Sequence, residues 1–316
     1  MITMARNKSL LFKIVGMILV IIFAIFSFRY FHIGTLIDES IHFWRSGFLF
    51  WGAAFTYLLA FLIRALAWKI YIPKQVKYLN CVQAIFLSLF INHITPVKAG
   101  DFFRAGFLAA KEQELTVDES ANSVIFMRFL DIVTLASITG AGLLILGKDL
   151  VFNLSLPLLA AFAILAVIGI MLLNRFFSGF VQKHLIMLKD ALSQKRSLYL
   201  FPLVIISWVL ESFVIWNVAK SMGISLSFIE GLWVNSLTVG GQVFQITPGG
   251  ISTYESVMTS ALAILGIGTR EAYTASILSH GFKFVFSYFT GLLLLISSPA
   301  YFRRELRNFR LGRKKD

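Results

Sequence analysis

The chain has 316 residues, 58% of them hydrophobic and 14% charged, with 29 Lys and Arg against 16 Asp and Glu. Soluble domains are about half apolar and about a quarter charged, so this balance and a mean hydropathy of +0.79 exclude a soluble enzyme and predict a polytopic membrane protein. One cysteine, Cys81, excludes an internal disulfide and any multi-cysteine metal site.

The first long apolar run, Leu10 to Phe28, has no Ala-x-Ala-like cleavage site and reads as a retained helix. Further windows of about 20 apolar residues fall near 47–68, 121–147, 150–173, 200–219 and 272–298. Between them lie two interrupted apolar elements, 80–113 and 229–266. Backbone in lipid must satisfy its own hydrogen bonds, and no segment alternates like a barrel strand, so the elements are helices. The expected fold is all-α, with six full spans plus two re-entrant or half-helix elements, or eight or more spans if those elements cross fully. One membrane domain, 1–302, divides into halves 10–147 and 150–298, and a basic tail follows at 303–316. Residues 180–196 pattern either as an amphipathic helix lying on the cytoplasmic surface or as a cytoplasmic loop helix that only connects.

The interrupted elements carry the same tripeptide. Ile94-Thr95-Pro96 and Ile246-Thr247-Pro248 each follow a short apolar stretch and precede a small-residue turn and an acid. Those are Gly100 and Asp101 in the first copy, and Gly249, Gly250 and Glu255 in the second. Paired Pro/Gly-interrupted segments in the two halves of a membrane protein point to a binding site between repeats. Thr95 and Thr247 suit N-caps, and Pro96 and Pro248 suit the first helical position. Helices starting there would aim free N–H groups and a positive dipole end at an anion such as phosphate.

With a cytoplasmic N-terminus and both elements re-entrant, Lys and Arg divide 21 inside to 5 outside, in agreement with the positive-inside rule. One element then enters from the cytoplasm and the other from outside, as in an inverted repeat. Both termini are cytoplasmic in this arrangement. The net charge of +13 is read as topology and attraction to anionic headgroups by the tail, with no nucleic acid implied.

Several charged residues sit where charge is costly. Arg104 follows Asp101 by three residues, and an arginine binds phosphate bidentately. Arg128 and Asp131 lie inside a predicted span, as do Glu211 and Lys283, and intramembrane charges face the bundle interior and pair. A Glu211–Lys283 pair is one reading, and a proton-carrying Glu211 is another. Ser252-Thr253-Tyr254-Glu255 fits a capping box, which gives Glu255 a structural role beside any role in a site. His93 and His280 fall at membrane depth, yet neither has a positioned nucleophile that would make it an acyl-transfer base. No Walker loop, dinucleotide fingerprint or nucleophile elbow occurs, and no metal or cofactor is expected.

The segment Pro96-Val97-Lys98-Ala99-Gly100-Asp101-Phe102-Phe103-Arg104 resembles the Pro-x-x-x-Gly-Glu-x-x-Arg motif of the lysylphosphatidylglycerol synthase transmembrane-region, or flippase-like, family. Met127-Arg128-Phe129-Leu130-Asp131 is similar to the family's Glu-Arg-x-x-Asp element, and Pro248-Gly249-Gly250-Ile251 with Glu255 to its Pro-Gly-Gly element. Asp101 stands in place of the usual Glu, Met127 replaces the usual Glu before Arg128, and Ser252 takes a position that is often Gly.

The resemblance implies an inner-membrane lipid translocase of a prokaryotic cell, moving a lipid with an anionic, phosphate-bearing headgroup through a cavity between repeats. Thr95, Pro96, Gly100, Asp101, Arg104, Thr247, Pro248, Gly249, Gly250 and Glu255 would bind the headgroup. Arg128, Asp131, Glu211 and Lys283 would line or gate its route. The family's larger members add a soluble aminoacyltransferase domain that this sequence does not contain. The alternatives are an integral membrane transferase acting on a lipid headgroup, or a non-catalytic partner of a separate lipid-modifying synthase.

Overall fold

A computed structural model describes residues 32–95, 98–153, 197–242 and 247–297, and every regular element in them is helical. The elements are α1 (Ile33–Arg45), α2 (Phe48–Tyr71), α3 (Tyr78–Ile94), α4 (Gly100–Lys111), α5 (Val117–Asn153), α6 (Ser197–Ser221), α7 (Phe228–Gly241), a 3₁₀ turn (Pro248–Gly250), α8 (Thr253–Ile264) and α9 (Thr269–Ser297). The predicted spans 10–28 and 150–173, the amphipathic segment 180–196, the tail 303–316 and Pro96 lie outside the described residues or, for the first turn of 150–173, at their edge.

Among the described residues four helices are long and apolar enough to cross a membrane: α2, α5, α6 and α9. At about 1.5 Å per residue, the 24 residues of α2 exceed the hydrocarbon thickness of about 30 Å. The 12-residue α4 and α8 and the 14-residue α7 do not reach it. The two interrupted elements are therefore helix–break–helix units, α3–α4 and α7–α8, close to their predicted bounds.

The packing repeats. Helices α2 to α5 recur as α6 to α9, with starts displaced by between 149 residues (Phe48 to Ser197) and 153 (Gly100 to Thr253). Helix α2 packs along α6 at the centre, α3 packs on α9, and α7 packs on α5 in return. Glycines allow both exchanges. A Cβ on Gly142 of α5 would strike the Trp233 ring of α7, and one on Gly291 of α9 would strike the Phe90 ring of α3. Small residues let membrane helices approach closely, and Ala53, Ala60, Ala65 and Ala67 of α2 are fully buried.

The outside of the bundle is apolar. Phe48, Trp51 and Phe55 on α2, Leu144 and Ile145 on α5, and Val285, Phe289 and Ile296 on α9 are exposed. So much exposed apolar surface marks contact with lipid. Helix α1 falls between the predicted spans 10–28 and 47–68, where the sequence predicts no element. Its exposed Ile33, Ile37, Ile41 and Trp44 recur at the spacing of one helix face, Asp38 and His42 take a second face, and buried Phe43 takes a third. A turn at Ser46-Gly47, with Gly47 at φ 54°, separates α1 from α2.

Candidate functional site

A polar cavity of about 130 Å³ lies at the centre of the bundle, between the breaks of the two interrupted units. Five cations line it (Arg64, Lys98, Arg104, Arg128 and Lys283), together with two carboxylates, Asp131 and Glu211. The fold supplies these charges from α2, α4, α5, α6, α9 and the α3–α4 break, so one pocket collects nearly every intramembrane charge of the described residues.

Two acids hold three of the cations by hydrogen bonds. Glu211 Oε2 accepts from Arg64 Nη2 at 2.7 Å and its Oε1 accepts from Lys283 Nζ at 2.8 Å. Lys283 also donates to Asn235 Oδ1 at 3.2 Å, and Arg64 Nε to Ser207 Oγ at 3.2 Å. The Arg64 guanidinium lies 3.8 Å from the centre of the Trp208 ring, and the Trp208 Nε1–H donates to Asp131 Oδ1 at 3.1 Å. Asp101 receives Arg128 bidentately, Nε to Oδ2 at 2.7 Å and Nη2 to Oδ1 at 2.8 Å. The expected Arg128–Asp131 contact is present but longer, at 3.4 Å. Arg128 is committed chiefly to Asp101.

Arg104 differs from the other three. It is 6% exposed and stacks over Trp68, whose Nε1–H is fixed by Ser123 Oγ. Its Nε approaches Asp101 Oδ1 at 3.4 Å without hydrogen-bond geometry, and its buried Nε and Nη2 have no hydrogen-bond partner. Buried donors left unmade cost about 1–3 kcal/mol each, more when charged. Lys98, half-buried nearby, makes no hydrogen bond or ion pair among the described residues. The two neighbouring cations are thus available to an incoming anion.

The breaks are built differently from the sequence expectation. Thr95 ends α3 as its C-cap, and its hydroxyl donates to the Ile91 carbonyl. Helix α4 begins five residues later at Gly100, whose N–H is taken by Asn92 Oδ1 of α3 at 2.8 Å. A Cβ at Gly100 would collide with the Ser88 carbonyl, so α4 folds tightly onto α3. In the second copy the Thr247 hydroxyl donates to the Ile251 carbonyl. Pro248 opens the 3₁₀ turn, Gly249 and Gly250 take φ of 64° and 78°, and α8 begins only at Thr253 with Ser252 as N-cap. Neither threonine is the N-cap of a half-helix. The Thr95 hydroxyl satisfies a carbonyl in the last turn of α3 and the Thr247 hydroxyl one inside the second break, a use that the propensity argument did not weigh.

Glu255 serves two partners. Its Oε2 accepts the Ser252 N–H at 2.7 Å, as the capping box predicts, and its Oε1 lies 2.7 Å from His280 Nδ1. His280 lines the cavity, with the Tyr254 ring stacked on it at 4.0 Å and its Nε2 directed at the Gly249 carbonyl, 3.2 Å away. Of the residues singled out in the sequence, Arg104, Arg128, Asp131, Glu211, Gly249 and Lys283 line the cavity. Asp101 and Glu255 hold lining residues, while Thr95, Gly100, Thr247 and Gly250 shape the breaks. Arg64, Lys98, Trp208 and the role of His280 were missed. A lone arginine inside an apolar span was the available signal for Arg64.

Fold and cavity define a polytopic α-helical membrane protein with a cation-rich polar centre. The family model for the lysylphosphatidylglycerol synthase TM region matches residues 11–291. The chain belongs to that family. No curated protein and no solved structure matches the sequence.

Proposed function

We propose that the chain moves a lipid with an anionic, phosphate-bearing headgroup between the leaflets of a prokaryotic inner membrane. The observation that carries this reading is the cation excess of the cavity, with Arg104 buried and two of its donors without a hydrogen bond. A phosphate oxygen would satisfy those donors in the planar, two-pronged manner that arginine favours. The cavity accommodates a headgroup and is too small for a whole phospholipid, so the acyl chains would travel in the surrounding bilayer. Units α3–α4 and α7–α8 would be re-entrant and form the inverted repeat, with both termini cytoplasmic. Asp101, Arg128, Asp131, Glu211 and Lys283 would set the charge balance along the route.

The reading is tested in cells lacking the chain, by comparing each lipid's total amount with the fraction exposed to a membrane-impermeant amine or sugar reagent. A lipid that keeps its total amount and loses its outer-leaflet fraction supports translocation and names the substrate. A second reading, a lipid-headgroup transferase or the membrane partner of one, is favoured by the synthase in the family's description. It requires instead that a lipid species disappear from the total extract.

A further inference from the structure

Arg104 brings the cavity one whole edge of a guanidinium that nothing uses. Its Nε and Nη2 are the same two donors by which Arg128 grips Asp101, at 2.7 and 2.8 Å. In Arg104 both are buried without a hydrogen bond. The Asp101 oxygen 3.4 Å from its Nε is already taken by Arg128. Such an edge takes two oxygens of one anion. Lys98 lines the same cavity, is half-buried and makes no hydrogen bond or ion pair among the described residues. Its ammonium has three donors and no acceptor.

The carboxylates around the cavity are all spent. Glu211 gives one oxygen to Arg64 and the other to Lys283. Asp101 gives both to Arg128. Asp131 accepts the Trp208 indole N–H on one oxygen and meets Arg128 with the other. Glu255 accepts the Ser252 N–H on one oxygen, and its other lies against His280. A headgroup that carried an ammonium would find no free carboxylate among these, and five cations facing it.

The number of terminal oxygens then separates two kinds of phosphate. A phosphodiester has two, and the Arg104 edge engages both, so Lys98 can only share one of them. A phosphomonoester has three and a second ionisation near about pH 6, so it satisfies the Arg104 edge and still presents a charged oxygen to Lys98. We propose that the cavity selects a lipid whose headgroup is a bare phosphomonoester, the third oxygen being read by Lys98, and takes phosphodiester lipids more weakly through Arg104 alone. The proposal rests on the translocation reading above and names the class of lipid within it.

The test titrates the purified full chain in detergent with dioctanoyl phosphatidic acid and dioctanoyl phosphatidylglycerol at about pH 7.5, where the monoester is doubly charged. Wild type is expected to bind phosphatidic acid about tenfold tighter, the worth of one more hydrogen bond between charged groups. Lys98→Met should bring that ratio down to about one, Lys98→Arg should retain it, and Arg104→Ala should weaken both lipids. Inorganic phosphate at equal concentration should not displace phosphatidic acid, since it brings no apolar contact of its own. Displacement would make free phosphate the ligand and overturn the lipid assignment. Equal binding of the two lipids by wild type, or a ratio that survives in Lys98→Met, overturns the selection. If Lys98→Met fails to fold, Lys98→Gln replaces it, and the wild-type ratio decides in either case. A second arm follows short-chain fluorescent forms of both lipids across phosphatidylcholine vesicles by albumin extraction. Faster transfer of phosphatidic acid than in protein-free vesicles, and faster than that of phosphatidylglycerol, is expected. Equal transfer of the two overturns the selection and leaves the translocase standing. Transfer of neither overturns the translocase, and the selection with it.

Discussion

Arg128 on α5 and His280 on α9 stand at the same register of the two repeats, 152 residues apart, and each grips the acid in the first turn of the preceding short helix. The Arg128–Asp101 and His280–Glu255 contacts are both 2.7 Å. One turn further along, Asp131 and Lys283 are also 152 residues apart and face the same cavity with opposite charge. A duplicated scaffold has thus been given unlike charges, and the sum around the cavity is positive.

Arg104→Ala should weaken binding of phosphatidylglycerol by about tenfold to a hundredfold, the worth of one or two hydrogen bonds to a charged donor. Arg128 keeps Asp101 paired in its absence, so the variant should reach the membrane at normal level. Arg104→Lys should recover little, since an ammonium has no planar fork. Binding titrations in detergent with membrane-level controls check this, and a collapse of protein level would make Arg104 structural.

Glu211 and Lys283 should differ in the cost of their removal. Glu211→Gln strips the partner from two buried cations, Arg64 and Lys283, and breaking a buried pair this way costs about 3–5 kcal/mol. Lys283→Met leaves Glu211 bound to Arg64 and should cost about 1–3 kcal/mol. Thermal unfolding of the purified variants gives the order, and equal losses would contradict it.

The glycines should divide by the space around them. Gly100→Ala sets a Cβ against the Ser88 backbone, and Gly249→Ala sets one against the Phe284 ring at a positive φ, so both should lower the folded yield sharply. Gly106→Ala and Gly281→Ala meet nothing within 4 Å and should be tolerated. Fluorescence-detected size exclusion of the four variants distinguishes the two groups.

Helix α1 should lie in the membrane interface. Its isoleucine stripe is exposed among the described residues, and a helix with one apolar and one charged face settles at the headgroup boundary. Cys81 is buried, so a Cys81→Ser background allows a single label at Ile37→Cys or at Asp38→Cys. A nitroxide at 37 should be relaxed by oxygen in the lipid, and one at 38 by a water-soluble nickel complex. Equal accessibility would place α1 elsewhere.

Much of this arrangement was legible in the chain because the bilayer leaves few options. The apolar windows gave α2, α5, α6 and α9, and the repeated Ile-Thr-Pro marked both breaks. Charges at Arg128, Asp131, Glu211 and Lys283 read as inward-facing because lipid penalises them outside. The details that escaped depend on tertiary contacts. Asn92 caps α4 from a different helix, which no local pattern reveals. Thr95 and Thr247 fit an N-cap by type, but Thr95 bonds back to the Ile91 carbonyl of α3 and Thr247 to the Ile251 carbonyl within its break. Lys98 counted among the inside charges of the topology and Arg64 among those left within spans, and their place in the cavity followed only from how α2 and the first break pack. Helix α1 escaped because a stripe of four apolar residues among charges is weaker than a continuous run.

The most direct measurement reconstitutes the purified chain in vesicles with labelled phosphatidylglycerol in one leaflet and follows both its location and its mass. Translocation predicts that the lipid reaches the other leaflet chemically unchanged, and that Arg104→Ala slows the transfer by at least tenfold, the loss of one charged contact. A label that stays in its leaflet, or one whose mass changes, would contradict the account.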